Sequence, residues 1–387
     1  MSAMIFPEPD YMADEEIRMF HDSVGRFLDQ SVDEKRVDSW RAAGQVERGF
    51  WREAGAAGLL GVSVPVEYGG HGGDFRHDLV VVDQVQRKGI EGFAASLHNV
   101  IVTPYIQLHG TEEQKRRWLP GLVTGERVAA IAMSEPGAGS DLQAIRTTAL
   151  RDGNGYRING SKTFISNGQV ADLVVVVAKT DPSQGARGIS LLIVETEGTE
   201  GFRRGQNLDK IGNEAQDTSE LFFDDVFVPA DNLLGGTEGK GFLQLMAELP
   251  RERLLIAINA VTTMERALEV TVDYVKQRKA FGQPVFEFQN TQFKLAEMYT
   301  KARIAKSFVN ECTVKAIAGT LDNTTSAMAK MWATDTEWEI VDQCLQLHGG
   351  YGYINEYPIA RMFRNSRISR IYGGSNEIMK VLIARSI

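Results

Sequence analysis

The order in which periodicity changes along this chain, helical, then strand-like, then helical again, restricts its possible folds more than any other feature. Ile17, Phe20, Val24 and Phe27 fall on one face of a helix that begins near Asp14. Residues 48–57 predict a second helix. The apolar run over 78–88 predicts a third, preceded by a loop containing Gly69, Gly70, Gly72 and Gly73. Thr111 ahead of Glu112 and Glu113 predicts a capped helix start. The pattern changes near Glu126. Residues 172–179, 189–194 and 221–228 are β-branched or aromatic runs. Turn signals separate them at Asp152-Gly153-Asn154-Gly155, Asn159-Gly160, Asn167-Gly168 and Asp181-Pro182. Beyond Gly235 the helical period returns over 254–278, 288–318 and 323–347, with a short last helix near Ser375.

This order predicts an α+β multidomain chain. Residues 1–125 form an N-terminal helical domain, 126–234 a small β-barrel or sandwich, and 235–387 a C-terminal four-helix bundle. It disfavours a Rossmann fold, which needs alternating strands and helices and a glycine fingerprint after the first strand. A net charge of −9 argues against a nucleic-acid binder, because phosphate contacts need a basic surface. The two cysteines, Cys312 and Cys344, belong to no CxxC, and the six histidines show no paired ligand spacing; no metal is expected, and a reducing compartment is. The N-terminal twenty residues are acidic and lack a signal-like apolar core, and no stretch is apolar enough to span a membrane. The expected location is the bacterial cytoplasm, or the mitochondrial matrix if a leader has been removed.

Residues 132–142, Ala-Met-Ser-Glu-Pro-Gly-Ala-Gly-Ser-Asp-Leu, follow an apolar strand and make a tight loop with exposed backbone N–H groups. Such a loop suits a flat ring or an anion, and it is also an ordinary turn. The segment resembles the signature of the acyl-CoA dehydrogenase family. So do three further stretches: Gln277-Arg278-Lys279-Ala280-Phe281-Gly282, Gln346-Leu347-His348-Gly349-Gly350-Tyr351-Gly352-Tyr353 and Ile371-Tyr372-Gly373-Gly374-Ser375-Asn376-Glu377-Ile378. The four occur in family order and span most of the chain.

The resemblance implies an FAD enzyme that removes two hydrogens from the α and β carbons of an acyl-CoA. It implies flavin contacts from the loop carrying Ile131, Met133, Ser134, Gly139 and Ser140, and from Phe164, Ile165 and Ser166 on the other side of the ring. Arg278, Phe281 and Gln289, with Gln346, Leu347, Gly349 and Gly350, would bind the FAD of a neighbouring subunit. Ser375, Asn376 and Glu377 would contact the adenosine half of the chain's own FAD. Bland readings stand beside these: Arg278 as a surface salt bridge, and the 349–352 glycines as a helix terminator. Ser140, Ala186, Arg187, Arg253, Gly373 and Gly374 are the implied acyl-CoA contacts. A homotetramer and an electron-transfer flavoprotein as redox partner are implied as well.

Many family members carry the catalytic glutamate directly after the tyrosine of the last motif. Here that position is Gly373, which cannot act as a base but can offer its N–H to the thioester oxygen. Two subgroups, the long-chain and isovaleryl-CoA dehydrogenases, place the glutamate on a long C-terminal helix instead. The stretch Glu248-Leu249-Pro250-Arg251-Glu252-Arg253-Leu254-Leu255-Ile256-Ala257 resembles the long-chain subgroup and puts Glu252 at the catalytic position, with Glu248 and Glu377 as rivals. Pro250 predicts a helix that starts there, so that the helix dipole lowers the basicity of Glu252 while burial raises it. The alternative for Glu252 is a first-turn acid that only stabilises the helix. Small residues Gly92, Ala94, Ala95 and Ser96 either leave room for a long or branched acyl tail or allow close helix packing. Other readings on the same fold are a flavin oxidase or monooxygenase and a non-catalytic scaffold that has lost FAD.

Overall fold

The computed structural model describes residues 6–387; residues 1–5, which open the acidic N-terminal stretch, lie outside the described residues. The N-terminal part is helical: α1 (Glu15–Ser31), α2 (Glu34–Ala43), α3 (Arg48–Ala56), α4 (Phe75–Lys88), a π-helical segment (Ser96–Val102) that runs directly into α5 (Thr103–His109), and α6 (Glu112–Thr124). Its core gathers Ile17, Val24, Trp40, Phe50, Trp51 and Phe93. The third helix begins at Phe75 rather than at residue 78, because Asp74 accepts from Arg76 N while His77 accepts from the Asp74 N–H. Thr111 caps α6 as its sequence predicts, in a reciprocal pair with Gln114. Gly55 of α3 lies against the end of α6, where a Cβ would come within 2.3 Å of the Thr124 carbonyl.

Seven strands follow: β1 (Ala129–Ala132), β2 (Thr148–Asp152), β3 (Gly155–Ser166), β4 (Leu173–Lys179), β5 (Ile189–Glu195), β6 (Phe202–Asn207) and β7 (Thr218–Pro229). They form one sheet in the order β1-β4-β2-β3-β7-β6, with β5 pairing antiparallel to β4. Successive residues of β4 enter two different cores. Val174, Val176 and Ala178 meet Tyr156, Ile158, Leu221, Phe223 and Val226, so the sheet curls over its own inner face. Leu173, Val175 and Val177 instead pack with Trp118 and Leu122 of α6 and with Leu245. Burial on both faces explains why β4 reads as an unbroken apolar run rather than an alternating one. One turn expectation fails: Asn159-Gly160 does not end a strand. It sits inside β3, where the register with β7 shifts and Gly160 adopts φ +153°.

The C-terminal part is built on α7 (Gly241–Gln277), α8 (Gln289–Ile317) and α9 (Asn323–His348), with the short hairpin strands β8 (Lys279–Ala280) and β9 (Gln283–Pro284) after α7. Two short helices, α10 (Pro358–Ser366) and α11 (Asn376–Ala384), complete it. Their shared core includes Leu254, Met264, Leu268, Met298, Ala305, Ala333 and Ile340. The helical class expected for this block is therefore found, but α7 starts thirteen residues before the expected 254. Pro250 lies inside it rather than in its first turn. Proline removes one N–H bond from a helix interior. Burial of Leu245, Glu248, Leu249 and Glu252 on both sides of Pro250 accompanies a helix that continues through it. The dipole of a helix start thus does not act on Glu252.

Gly55→Ala should lower the unfolding midpoint in urea or heat by an amount equivalent to about 1–3 kcal/mol, the usual range for overpacking. A wild-type midpoint would show that α3 and α6 can separate freely.

Candidate active site

Glu252 lies about a third of the way along α7 and is 6% exposed. Its Oε1 accepts a hydrogen bond of 2.8 Å from the Tyr105 hydroxyl of α5. Burial pushes its pKa up to about 7; the neighbouring Glu248 charge adds to the rise, while the Tyr105 bond and Arg253 oppose it. Tyr105 is in turn held well above the usual phenol range by burial and by the Glu252 carboxylate. Glu248, one turn earlier on α7, is also buried, and its Oε1 lies 2.9 Å from His109 Nε2. Tyr105 and His109 therefore face Glu252 and Glu248 as two i, i+4 pairs on packed helices. Neither α5 residue was singled out from the sequence. The available signal was Tyr105 and His109 at helical spacing ahead of Gly110.

Gly373 faces the same space. It adopts φ +64°, and a side chain there would meet Ile256 Cδ1 at 2.3 Å. Ile256 is one turn beyond Glu252 on α7, so positions 252 and 373 address one region from two elements. Gly374 follows with φ +91°. Two left-handed residues in succession suit glycine and leave the turn without side chains to pin it. It is held from α9: Lys330 Nζ, fully buried, donates to the Gly374 carbonyl at 2.9 Å and to Asn376 Oδ1 at 2.8 Å. Asn376 Nδ2 donates to Thr334 Oγ1 at 3.0 Å and to Asp335 Oδ1 at 2.9 Å. Burial pushes Lys330 down to about 8.

The other expected residues gather in groups. Arg278, Gln346, Leu347, Gly349 and Gly350 line one open cleft of ≈ 510 Å³ with Tyr274 and Tyr351. The Arg278 guanidinium lies 5.6 Å over the Tyr351 ring, and a Cβ at Gly349 or Gly350 would meet nothing within 4 Å. Phe281, 97% exposed at φ +52°, and exposed Gln289 lie nearby in sequence but do not line that cleft. In the middle domain, Thr163 N donates to the Ser134 carbonyl at 3.0 Å, joining the Met133–Ser134 loop to the Phe164–Ser166 strand end. Fully buried Lys162 ties the same loop down through Met133 O at 3.0 Å and Glu135 Oε1 at 2.9 Å. Phe164, 69% exposed at φ +60°, projects from this surface. Ile131 and Ser166 are half-buried, and Gly139 and Ser140 are exposed.

Three expected contacts point elsewhere. The Ile165 side chain belongs to the inner core of the curled sheet. The Asn376 side chain is buried and used up by Lys330, Thr334 and Asp335, and only its main chain remains for a ligand. The Arg253 side chain is buried and donates from Nη1 to Asn323 Oδ1 at 3.1 Å, with Nε unpartnered. Ser375 caps α11 by accepting from Ile378 N at 3.4 Å, while Glu377 is exposed. Ala186 and Arg187 sit on a surface segment before β5. Ala94 and Ala95 join the N-terminal core, and Gly92 abuts the Ala215 carbonyl, so packing accounts for these three small residues. Among the described residues no cluster of His, Cys, Asp or Glu is placed to hold a metal, and no helix is long and apolar enough to cross a membrane.

A buried carboxylate one helical turn from the residue packed on a two-glycine turn, an exposed aromatic on a curled sheet, and an arginine-lined cleft with open glycine backbone fit a flat, anionic dinucleotide beside an acid–base group. Comparison with known proteins agrees. The chain matches the acyl-CoA dehydrogenase N-terminal domain over 14–126, the middle domain over 130–226 and the C-terminal domain over 239–387. The chain belongs to the acyl-CoA dehydrogenase family, and its activity is the FAD-dependent dehydrogenation of acyl-CoA thioesters. It is 47% identical to the long-chain specific acyl-CoA dehydrogenase, mitochondrial, of Sus scrofa over 95% of this chain and 86% of that protein. An acyl-CoA dehydrogenase structure from Geobacillus kaustophilus superposes with a TM-score of 0.95 at 48% identity, covering 98% of this chain and 99% of that one. One from Bacillus anthracis, complexed with FAD, gives 0.90 at 32% identity over 98% of this chain and 68% of that one.

A carboxyl whose pKa is higher folded than unfolded destabilises the native state as pH rises from its unfolded to its folded value. Glu252→Gln should therefore raise the stability of the protein at pH 8, by up to about 3 kcal/mol, and leave it nearly unchanged at pH 4.5. Unfolding midpoints at the two pH values test this; an equal change at both would contradict it.

Proposed function

We propose that Glu252 is the base that removes the α-proton of the acyl-CoA. The observation that carries this is its buried carboxyl, bonded to Tyr105 and placed on the same region as the Gly373 turn. A base near neutral pKa has both the ionised form and the driving force needed for proton abstraction. Its ordinary acidic pKa is raised mainly by exclusion of water, the same exclusion that protects a thioester enolate from solvent.

The residues divide the work. The Tyr105 hydroxyl orients the Glu252 carboxylate by donating to one oxygen, leaving the other for the substrate carbon. The Gly373 N–H donates to the thioester oxygen, where negative charge grows as the proton leaves. Lys330 and Asn376 fix the turn that carries that N–H. Bound FAD supplies the acceptor for the β-hydrogen and its electron pair. Arg278, Phe281 and Gln289, with the 346–350 segment, would hold FAD across a subunit boundary, and the 131–140 loop with Phe164 and Ser166 would hold the ring.

The substrate is a long or branched acyl-CoA, on the strength of the long-chain relatives and the Glu252 placement they share by resemblance. The acceptor of the electrons is an electron-transfer flavoprotein and the assembly a homotetramer, both from the family resemblance. Domain boundaries near residues 125 and 234 follow the change from helix to strand and back. Buried, unbridged Cys312 and Cys344 support a reducing compartment, a bacterial cytoplasm or a mitochondrial matrix.

Anaerobic bleaching of the bound flavin by acyl-CoAs of increasing chain length tests the reading. Wild type should bleach fastest with long chains, along an acid limb with a midpoint near pH 7. Glu252→Gln should keep its flavin and bleach at least roughly 10³-fold more slowly. Unimpaired bleaching by that variant rejects the assignment, and a preference for the shortest chains rejects the substrate class.

A further inference from the structure

Glu248 has no part in the chemistry above, yet it is buried one turn from Glu252 on the same face of α7. Side chains four apart on a helix stand about 5–6 Å apart at Cβ, close enough for two carboxylates to repel strongly out of water. A buried carboxylate without a partner is expensive, and one beside a second is more so. His109 resolves the first cost through its contact at 2.9 Å, from a side chain that keeps 21% exposure at the rim of the site. The repulsion between Glu248 and Glu252 remains.

We propose that Glu248 and His109 are a charge-tuning pair for Glu252, positioning residues whose joint charge sets the pH at which Glu252 becomes available as a base. This rests on the reading of Glu252 as the base. The charge reaches Glu252 from few directions. From α5 come Tyr105, which bonds Glu252, and His109, which bonds Glu248. From α7 itself come Glu248 and Arg253, the latter directed at Asn323 of α9. Arg251 is directed away, to Asp78 of α4 at 3.4 Å. The 373–374 turn presents glycines only. The His109 contact offsets the Glu248 charge. Without His109, the lone Glu248 charge holds the proton on Glu252.

The opposed signs supply the test. The acid limb of flavin bleaching by a saturating acyl-CoA is followed from pH 5 to 9 in the holoenzyme. Glu248→Gln should move its midpoint down by about 0.5–1 pH unit, and His109→Gln should move it up by a similar amount. Glu248→Asp, which keeps the charge, should leave it within about 0.2 unit of wild type. Flavin content reports that each variant is folded. Rates that fall with no change of midpoint, or midpoints that move in the same direction in the Gln variants, overturn the proposal. If Glu252→Gln still bleaches normally, the base assignment itself falls, and the tuning pair with it; if Glu252→Gln is inert and the other midpoints stay fixed, only the tuning pair falls.

Discussion

The structure turns on a carboxyl group kept from water. The Glu252 carboxyl on α7 faces α5, and among the described residues its one hydrogen bond is that from Tyr105. Ionising a group in such surroundings costs free energy that the rest of the fold must supply. The core on the outer face of the middle sheet takes in Tyr105 and Ile106 of α5 and Leu245 of α7, and the bundle core takes in Leu254 and Ala257 of α7, so that α5 and α7 are held together. The apolar packing and the reactive carboxylate are thus linked: without the first, water would reach the second and return it to an ordinary acid.

Much of the fold was legible because its signals are local. The unbroken valine run of β4 states burial on both faces, and the Thr111 cap marks the start of α6 from four residues alone. The proposed base came from the family resemblance: Gly373 stands where many members carry the glutamate, and the 248–257 stretch resembles the subgroup that carries it on the long helix instead. Two errors share one cause. Pro250 reads as a helix start and Asn159-Gly160 as a turn, because each is a local breaker signal. In both cases longer-range packing prevailed, carrying α7 through the proline and β3 through a bulge at the glycine.

Tyr105 and His109 were harder to see for a different reason. They follow a π-helical segment, Ser96–Val102, whose wider turn resets the angular phase of α5. A sequence read at 3.6 residues per turn across that segment assigns the wrong face to everything after it. At Ile165, Arg253 and Asn376 the side chains are engaged within the protein, because motif position names a residue without saying whether its side chain or its backbone is presented.

The turn at Gly373 and Gly374 has no side chains of its own, so packing cannot stiffen it. Its firmness comes from a single ammonium group projecting from α9, which clasps the 374 carbonyl and the amide of residue 376. The turn that carries the proposed thioester donor is therefore anchored on the helical bundle. A slide of α9 along its axis would carry the Gly374 carbonyl with it, which ties the position of this side-chain-free turn to the register of a long helix.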